Sequence, residues 1–253
     1  MAKKRKKKKL RIKWSRVIIS LVFVMVLGFG IYKGTTYVLN QIISFFNPQE
    51  EINNNNDDEG IVLPPKDYKA TVIVDPGHGG VDAGTNRDGV LEKNITLNVA
   101  KKIKQELYKK DIEVILTRED DSTLYPNNKI KDLNARAGFS EKYNAKAFVS
   151  IHVNAFEDTN DISGFDFYTR NEESEPLMQE VSNQIDKLGL SKVRSVQDGH
   201  GLQVLRDNTV PAILVEMGYI NGVDFKYLSD EEQMDKIAVG IAKGIESYIN
   251  EFN

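Results

Sequence analysis

The ten residues Thr71-Val-Ile-Val-Asp-Pro-Gly-His-Gly-Gly80 constrain this chain more than any others. A β-branched apolar run ends on an acidic residue, and a tight Pro-Gly turn then presents His78 between glycines. A short apolar run bounded by turn residues reads as a buried strand. Sites in open α/β sheets lie beyond the carboxyl ends of strands, which is where His78 falls. The same pattern recurs: His152 follows Ala147-Phe-Val-Ser-Ile151, and Glu216 follows Ala212-Ile-Leu-Val215. The whole chain has three histidines, and two of them end buried-type strands.

Between these runs the pattern changes period. Leu91, Ile95, Val99, Ile103 and Leu107 recur four residues apart, which predicts an amphipathic helix over 92–110. Strands are expected at Thr71–Asp75, Ile112–Thr117, Ala147–Val153, Gly164–Thr169, Gly201–Leu205 and Ala212–Met217. Further helices are expected over Asp132–Tyr143 and Pro176–Leu188, and a last one from Ser229, with Glu232 completing a capping box, to about Tyr248. Strands alternating with helices define the fold class: a single α/β domain with a mainly parallel, twisted central sheet covered by helices on both faces.

The chain's first residues have a different composition. Residues 1–16 hold ten Lys/Arg and no acid, and Val17–Tyr32 is an uncharged, mostly apolar run closed by Lys33. Trp14, Arg16 and Lys33 extend this run toward the roughly 20 residues of a membrane span. A cleaved signal peptide is the competing reading, but no alanine lies between Val17 and Lys69 to form an Ala-x-Ala site. The expected organisation is a basic cytoplasmic tail over 1–16 and a transmembrane signal anchor over 17–33. A juxtamembrane segment and flexible linker over 34–67 follow, then a catalytic domain over 68–253. The basic tail places the N-terminus in the cytoplasm and the domain outside the cell. Of the chain's 34 Lys/Arg, these ten and Lys33 leave 23 against 37 Asp/Glu, a net −14 that argues against nucleic acid as a partner. With no cysteine, disulfides, thiol nucleophiles and thiolate zinc sites are excluded.

Zinc hydrolases commonly hold the ion with three nitrogen or oxygen ligands and leave a fourth position to water. His78, Glu92 and His152 offer such a set, and Glu216, ending a buried strand, is the candidate proton carrier. Each has a plainer reading. A lone histidine after a strand is usually a hydrogen-bonded structural residue. Glu92 alone is most simply an exposed acid favoured by a helix N-terminus. His200, in the turn Asp198-Gly-His-Gly201, has no strand ahead of it and reads as a residue of a cleft rim. Asp75 and Asn154 flank the histidine loops and are expected to orient the rings.

The segments VDPGHGGVDAGT, LEKNITLNVA, SIHVNA and PAILVEMGYI resemble, in order and spacing, the four signature segments of the zinc-dependent N-acetylmuramoyl-L-alanine amidases, the Amidase_3 group of cell-wall hydrolases. The resemblance covers roughly residues 70–250. It implies that His78, Glu92 and His152 bind Zn2+ and that Glu216 is the catalytic glutamate. It also implies peptidoglycan as substrate, cut at the amide between the lactyl group of N-acetylmuramic acid and L-alanine of the stem peptide. Wall-binding modules and a long inhibitory insertion, present in some members, are not recognised here. Any activator protein is unknown. Anchored, module-free members include some used in spore-cortex maturation, so vegetative remodelling and cortex maturation both stay open.

Other classes fit less well. A serine esterase needs a Gly-x-Ser-x-Gly elbow, and the chain has none. A glycosidase using Glu92 and Glu216 would leave both histidines idle. The alternative from another class is a catalytically silent peptidoglycan-binding or activator protein on the same fold.

Overall fold

The computed structural model of the chain describes residues 66–156 and 161–252. The basic tail, the expected anchor at 17–33 and nearly all of the 34–67 segment lie outside the described residues. Among the described residues, no helix is long and apolar enough to cross a membrane.

One six-stranded sheet forms the centre of the domain. Its strands are β1 (Ala70–Pro76), β4 (Ile112–Leu116), β5 (Ala147–Asn154), β6 (Phe165–Thr169), β7 (Val193–Asp198) and β8 (Ala212–Tyr219), in the spatial order β4-β1-β5-β8-β6-β7. The ladders β4–β1, β1–β5, β5–β8 and β6–β7 are parallel, and β8–β6 is antiparallel. A small antiparallel pair, β2 (Asn86–Arg87) and β3 (Val90–Leu91), precedes the first helix.

Both faces of the sheet are covered, so its central strands read as unbroken apolar runs. Val72 and Val74 face a core shared with α1 (Glu92–Tyr108), α3 (Glu175–Asp186) and α6 (Glu231–Phe252). Ile73, Phe148 and Leu214 face the other way, onto α2 (Lys129–Lys142) and α4 (Gln203–Arg206). Each wholly buried aliphatic or phenyl side chain of this kind stabilises the fold by about 1.5–3 kcal/mol. A final short helix, α5 (Phe225–Leu228), packs under the last one.

The side-chain alternation of β1, β5 and β8 places Asp75, Ser150, His152 and Glu216 on the α2/α4 face, because they continue the sets Ile73, Phe148 and Leu214 at intervals of two. Asp75, His152 and Glu216 lie in the carboxyl halves of their strands, and Ser150 lies near the middle of β5.

Three expectations are corrected. Gly201–Leu205 is not a strand: Val204 and Leu205 are both buried, and the segment forms the short helix α4. The strand of this region is β7, eight residues earlier, an edge strand whose alternate residues are exposed. Ser229 does not cap the last helix, because its hydroxyl bonds the Phe225 carbonyl at 2.7 Å. Asp230 accepts from the Gln233 amide at 3.1 Å instead, and the helix runs on to Phe252.

Candidate metal centre and its glutamate

His78 occupies the turn after β1 with φ of 61°, a left-handed conformation that a non-glycine residue holds only when its surroundings impose it. Those surroundings are two buried arginines. Arg118 donates from Nε to the Pro76 carbonyl at 3.0 Å and from Nη2 to the Gly77 carbonyl at 2.8 Å. Arg136 donates from Nη1 to the Pro76 carbonyl at 3.0 Å and from Nη2 to the His78 carbonyl at 2.8 Å. Three successive carbonyls of the turn are thus held by guanidinium groups. Asp75 balances Arg136 at 3.0 Å and accepts from Thr117 at 2.5 Å and Ser150 at 2.8 Å. Burial alone would raise the Asp75 carboxyl, but the Arg136 charge and these hydrogen bonds outweigh it and hold it below its ordinary value.

His152 comes from β5, two residues from the strand's end. Its ring lies against Gly77, where any Cβ would run into the imidazole. This close approach is a physical reason for the first glycine of Pro-Gly-His-Gly. The His78 and His152 rings meet edge to face, their centroids 5.0 Å apart.

Glu92 is the first residue of α1, yet it is buried, unlike the solvated helix-end acid of the plain reading. Its Oε2 accepts from the Thr85 amide at 2.8 Å, and its Oε1 accepts from the Val153 amide at 2.9 Å. That Oε1 also lies 3.1 Å from His78 Nε2 and 3.0 Å from His152 Nδ1. Burial opposes its charge, but hydrogen bonds from His152 and His78, together with their charge, hold it well below the usual carboxylate range. One ligand atom each from His78, Glu92 and His152 lies within 4.8 Å of the others.

Glu216 pairs in register with His152 across the β5–β8 ladder. Its Oε2 is buried with no hydrogen-bond partner among the described residues. Desolvation dominates its titration; the nearby His152 charge opposes it, Glu92 and Asp166 add to it, and the carboxyl is pushed up to about 7. A carboxyl poised there exchanges protons readily at neutral pH.

Neither residue expected to orient the rings bonds one directly. Asp75 acts on His78 only through Arg136, and Asn154 bonds Asp166 at 3.4 Å and the Ala155 amide at 2.8 Å. The carboxylate beside His78 is Asp82, its Oδ1 2.9 Å from Nδ1 in an ion-pair approach without aligned hydrogen-bond geometry. Sequence reading missed Asp82, Arg118 and Arg136. His200 stays exposed and pairs with Asp198 at 2.5 Å, apart from the triplet. Beside the histidines is a cavity of about 110 Å³, lined in part by Thr123, Leu133 and Val204. A space of this size suits small molecules such as water.

The fold and the triplet define the class: an α/β domain with a candidate metal site at the carboxyl edge of its sheet. Comparison with known proteins makes this specific. The chain belongs to the Amidase_3 family, described as N-acetylmuramoyl-L-alanine amidase, which matches residues 72–247. A germination-specific N-acetylmuramoyl-L-alanine amidase of Bacillus subtilis is 29% identical over 228 residues, 87% of this chain and 95% of that protein. A probable cell wall amidase of Staphylococcus epidermidis, LytH, is 32% identical over 71% of this chain, which spans only 58% of that longer protein. The CwlD amidase of Clostridioides difficile, solved in complex with the GerS lipoprotein, superposes with a TM-score of 0.65 at 30% identity, covering 72% of this chain and 98% of that one.

Proposed function

We propose that the chain is a zinc-dependent N-acetylmuramoyl-L-alanine amidase that hydrolyses the amide between the lactyl group of N-acetylmuramic acid and L-alanine of the peptidoglycan stem peptide. The observation that carries this reading is the convergence of His78 Nε2, Glu92 Oε1 and His152 Nδ1 beside a glutamate with a partnerless buried oxygen. Two imidazole nitrogens and an anionic carboxylate oxygen are a donor set suited to zinc. Bound there, the ion would supply Lewis acidity toward the scissile carbonyl and an acidified water as nucleophile.

The protein's own groups have distinct tasks. Arg118 and Arg136 keep the His78 turn in its left-handed form. The Thr85 and Val153 amides fix both oxygens of Glu92. Glu216 takes the proton of the attacking water and returns it to the leaving amine. Its buried Oε2, which has no hydrogen-bond partner among the described residues, is free for both transfers.

In this reading residues 17–33 anchor the chain in the membrane, with 1–16 in the cytoplasm and the domain outside, confined to the inner surface of the wall. The basic-then-apolar order of residues 1–33 supports it. Protease added to intact cells should degrade the domain and spare the N-terminal tail. The germination-specific name of the Bacillus subtilis relative supports a cortex role, and the lipoprotein seen with the Clostridioides difficile relative supports seeking a partner of that kind.

Glu216→Gln tests the chemistry. Turnover should vanish while about one zinc per chain is retained, as expected for a group that moves protons and does not ligate. Loss of zinc in that variant would contradict the role assigned to Glu216.

A further inference from the structure

The row of polar residues that begins with His152 and Glu216 continues beyond them. Glu216 pairs with Asp166 on β6, and Asp166 pairs with Ser195 on β7. The β6–β7 ladder slips at this point: Phe165 pairs with Val193 but Asp166 with Ser195, so Arg194 is an extra residue. A bulge of this kind re-aims a side chain. Here it sends Arg194 to the same carboxylate as Ser195. Gly164 makes room, since a Cβ there would lie 2.8 Å from the Arg194 Cβ.

Asp166 is wholly buried and holds the guanidinium by two edges, with Nε at 3.1 Å and Nη2 at 3.0 Å. Ser195 Oγ at 2.5 Å and the Tyr219 hydroxyl complete its shell, and Nη2 also donates to the Tyr219 oxygen at 2.6 Å. The fork is held on three protein oxygens, yet the Arg194 side chain remains 43% exposed, and its Nη1 has no protein acceptor among the described residues.

The substrate's chemistry indicates what that edge takes. In the intact substrate the lactyl carboxyl of the sugar is consumed by the amide to be cut, so free carboxylates belong to the peptide. Arg194 is on β7, two strand spacings from Glu216 on β8, and its guanidinium reaches back to Asp166 on the strand between, so it stands within roughly 10 Å of Glu216. That is about the reach from the scissile bond to the residue after L-alanine. We propose that Arg194, fixed by Asp166, is a specificity-determining residue that binds a free carboxylate on the residue following L-alanine, making the β6–β7 side of the site the peptide side. The proposal rests on the amidase reading above. Lys129, 4.0 Å from Asp82 on the opposite side, is the competing cation.

The test uses the full-length, zinc-loaded chain and two muramoyl peptides with amidated C-termini. They differ only in carrying a free carboxylate or a carboxamide on the residue after L-alanine. Wild type should favour the carboxylate peptide about tenfold in KM. Arg194→Gln should erase that preference by raising KM for the carboxylate peptide alone, with kcat little changed. Lys129→Gln should leave the preference intact. Arg194→Lys keeps a cation on Asp166, should retain part of the preference, and carries the test if Arg194→Gln does not fold. Equal losses on both peptides, a preference that survives in Arg194→Gln, or one abolished by Lys129→Gln would overturn the proposal. Calorimetric binding of the same peptides to Glu216→Gln, with and without Arg194→Gln, separates this from the amidase reading. Absent turnover with an Arg194-dependent binding preference would sink only the amidase reading, and equal binding of both peptides would sink the Arg194 proposal.

Discussion

Arg136 Nη2 donates a 2.8 Å hydrogen bond to the carbonyl oxygen of His78, so a side chain from the middle of α2 holds a strained residue of the β1 turn in place. The same guanidinium neutralises Asp75, which is itself buried. Ligand geometry and local stability therefore depend on one residue. Arg136→Ala should lower stability by about 3–5 kcal/mol, because it leaves a buried carboxylate without its counter-charge. Denaturant unfolding of the metal-free protein measures it. A loss below about 1 kcal/mol would show that the Asp75–Arg136 pair is not needed for the fold.

Gly77 offers a change confined to the site. Gly77→Ala places a methyl group against the His152 ring, and its backbone needs no positive φ. The ring or the turn must shift, which disturbs the His152–Glu92 contact at 3.0 Å. Zinc affinity, measured by competition with a chelator, should fall by at least about tenfold, in the range seen when ligand orientation is disturbed. Unchanged affinity would mean that the ring is not held where the structure places it.

The titration of Glu216 gives a signed prediction. Its carboxyl, ordinarily near 4.5, is raised to about 7, so the folded metal-free protein holds a proton that the unfolded chain has released. Stability associated with this proton is fully present below about 4.5 and is lost as pH rises through about 7. Metal-free Glu216→Gln should match wild type at acid pH and exceed it above neutrality by on the order of 1 kcal/mol, discounted for partial exposure. A cation bound by the triplet should lower the carboxyl's pKa again. Carboxyl NMR titration with and without zinc follows both effects, and an ordinary carboxylate midpoint in the metal-free protein would contradict the first.

Much of this arrangement was legible in the sequence because it rests on strong local patterns. The runs that became β1, β5 and β8 are apolar at successive positions, as strands covered on both faces must be, and the polar residue ending each run marks the carboxyl edge. The less legible parts depend on partners distant in the chain. Arg118 sits in Thr-Arg-Glu-Asp, which reads as a solvated turn, and its acceptors lie about 40 residues earlier. Arg136 with Asp132 looks like an ordinary surface ion pair at helical spacing. A clue was available, since Asp132, Arg136 and Ser140 share a stripe and all three are buried. β7 escaped notice because an edge strand exposes every second residue, leaving only Val193 and Val196 as apolar markers. The bulge at Arg194 has no local signature, since it exists only in the pairing of two strands.

The claim at the centre of this account is that the triplet holds a zinc ion needed to cut the amide at L-alanine. Full-length protein incubated with peptidoglycan fragments, with and without a chelator and then with zinc restored, tests it through mass spectrometry of the products. The account predicts free stem peptides with L-alanine at their N-termini, lost on chelation and recovered with zinc. Fragments left intact under every condition, or peptide release indifferent to chelation, would contradict it.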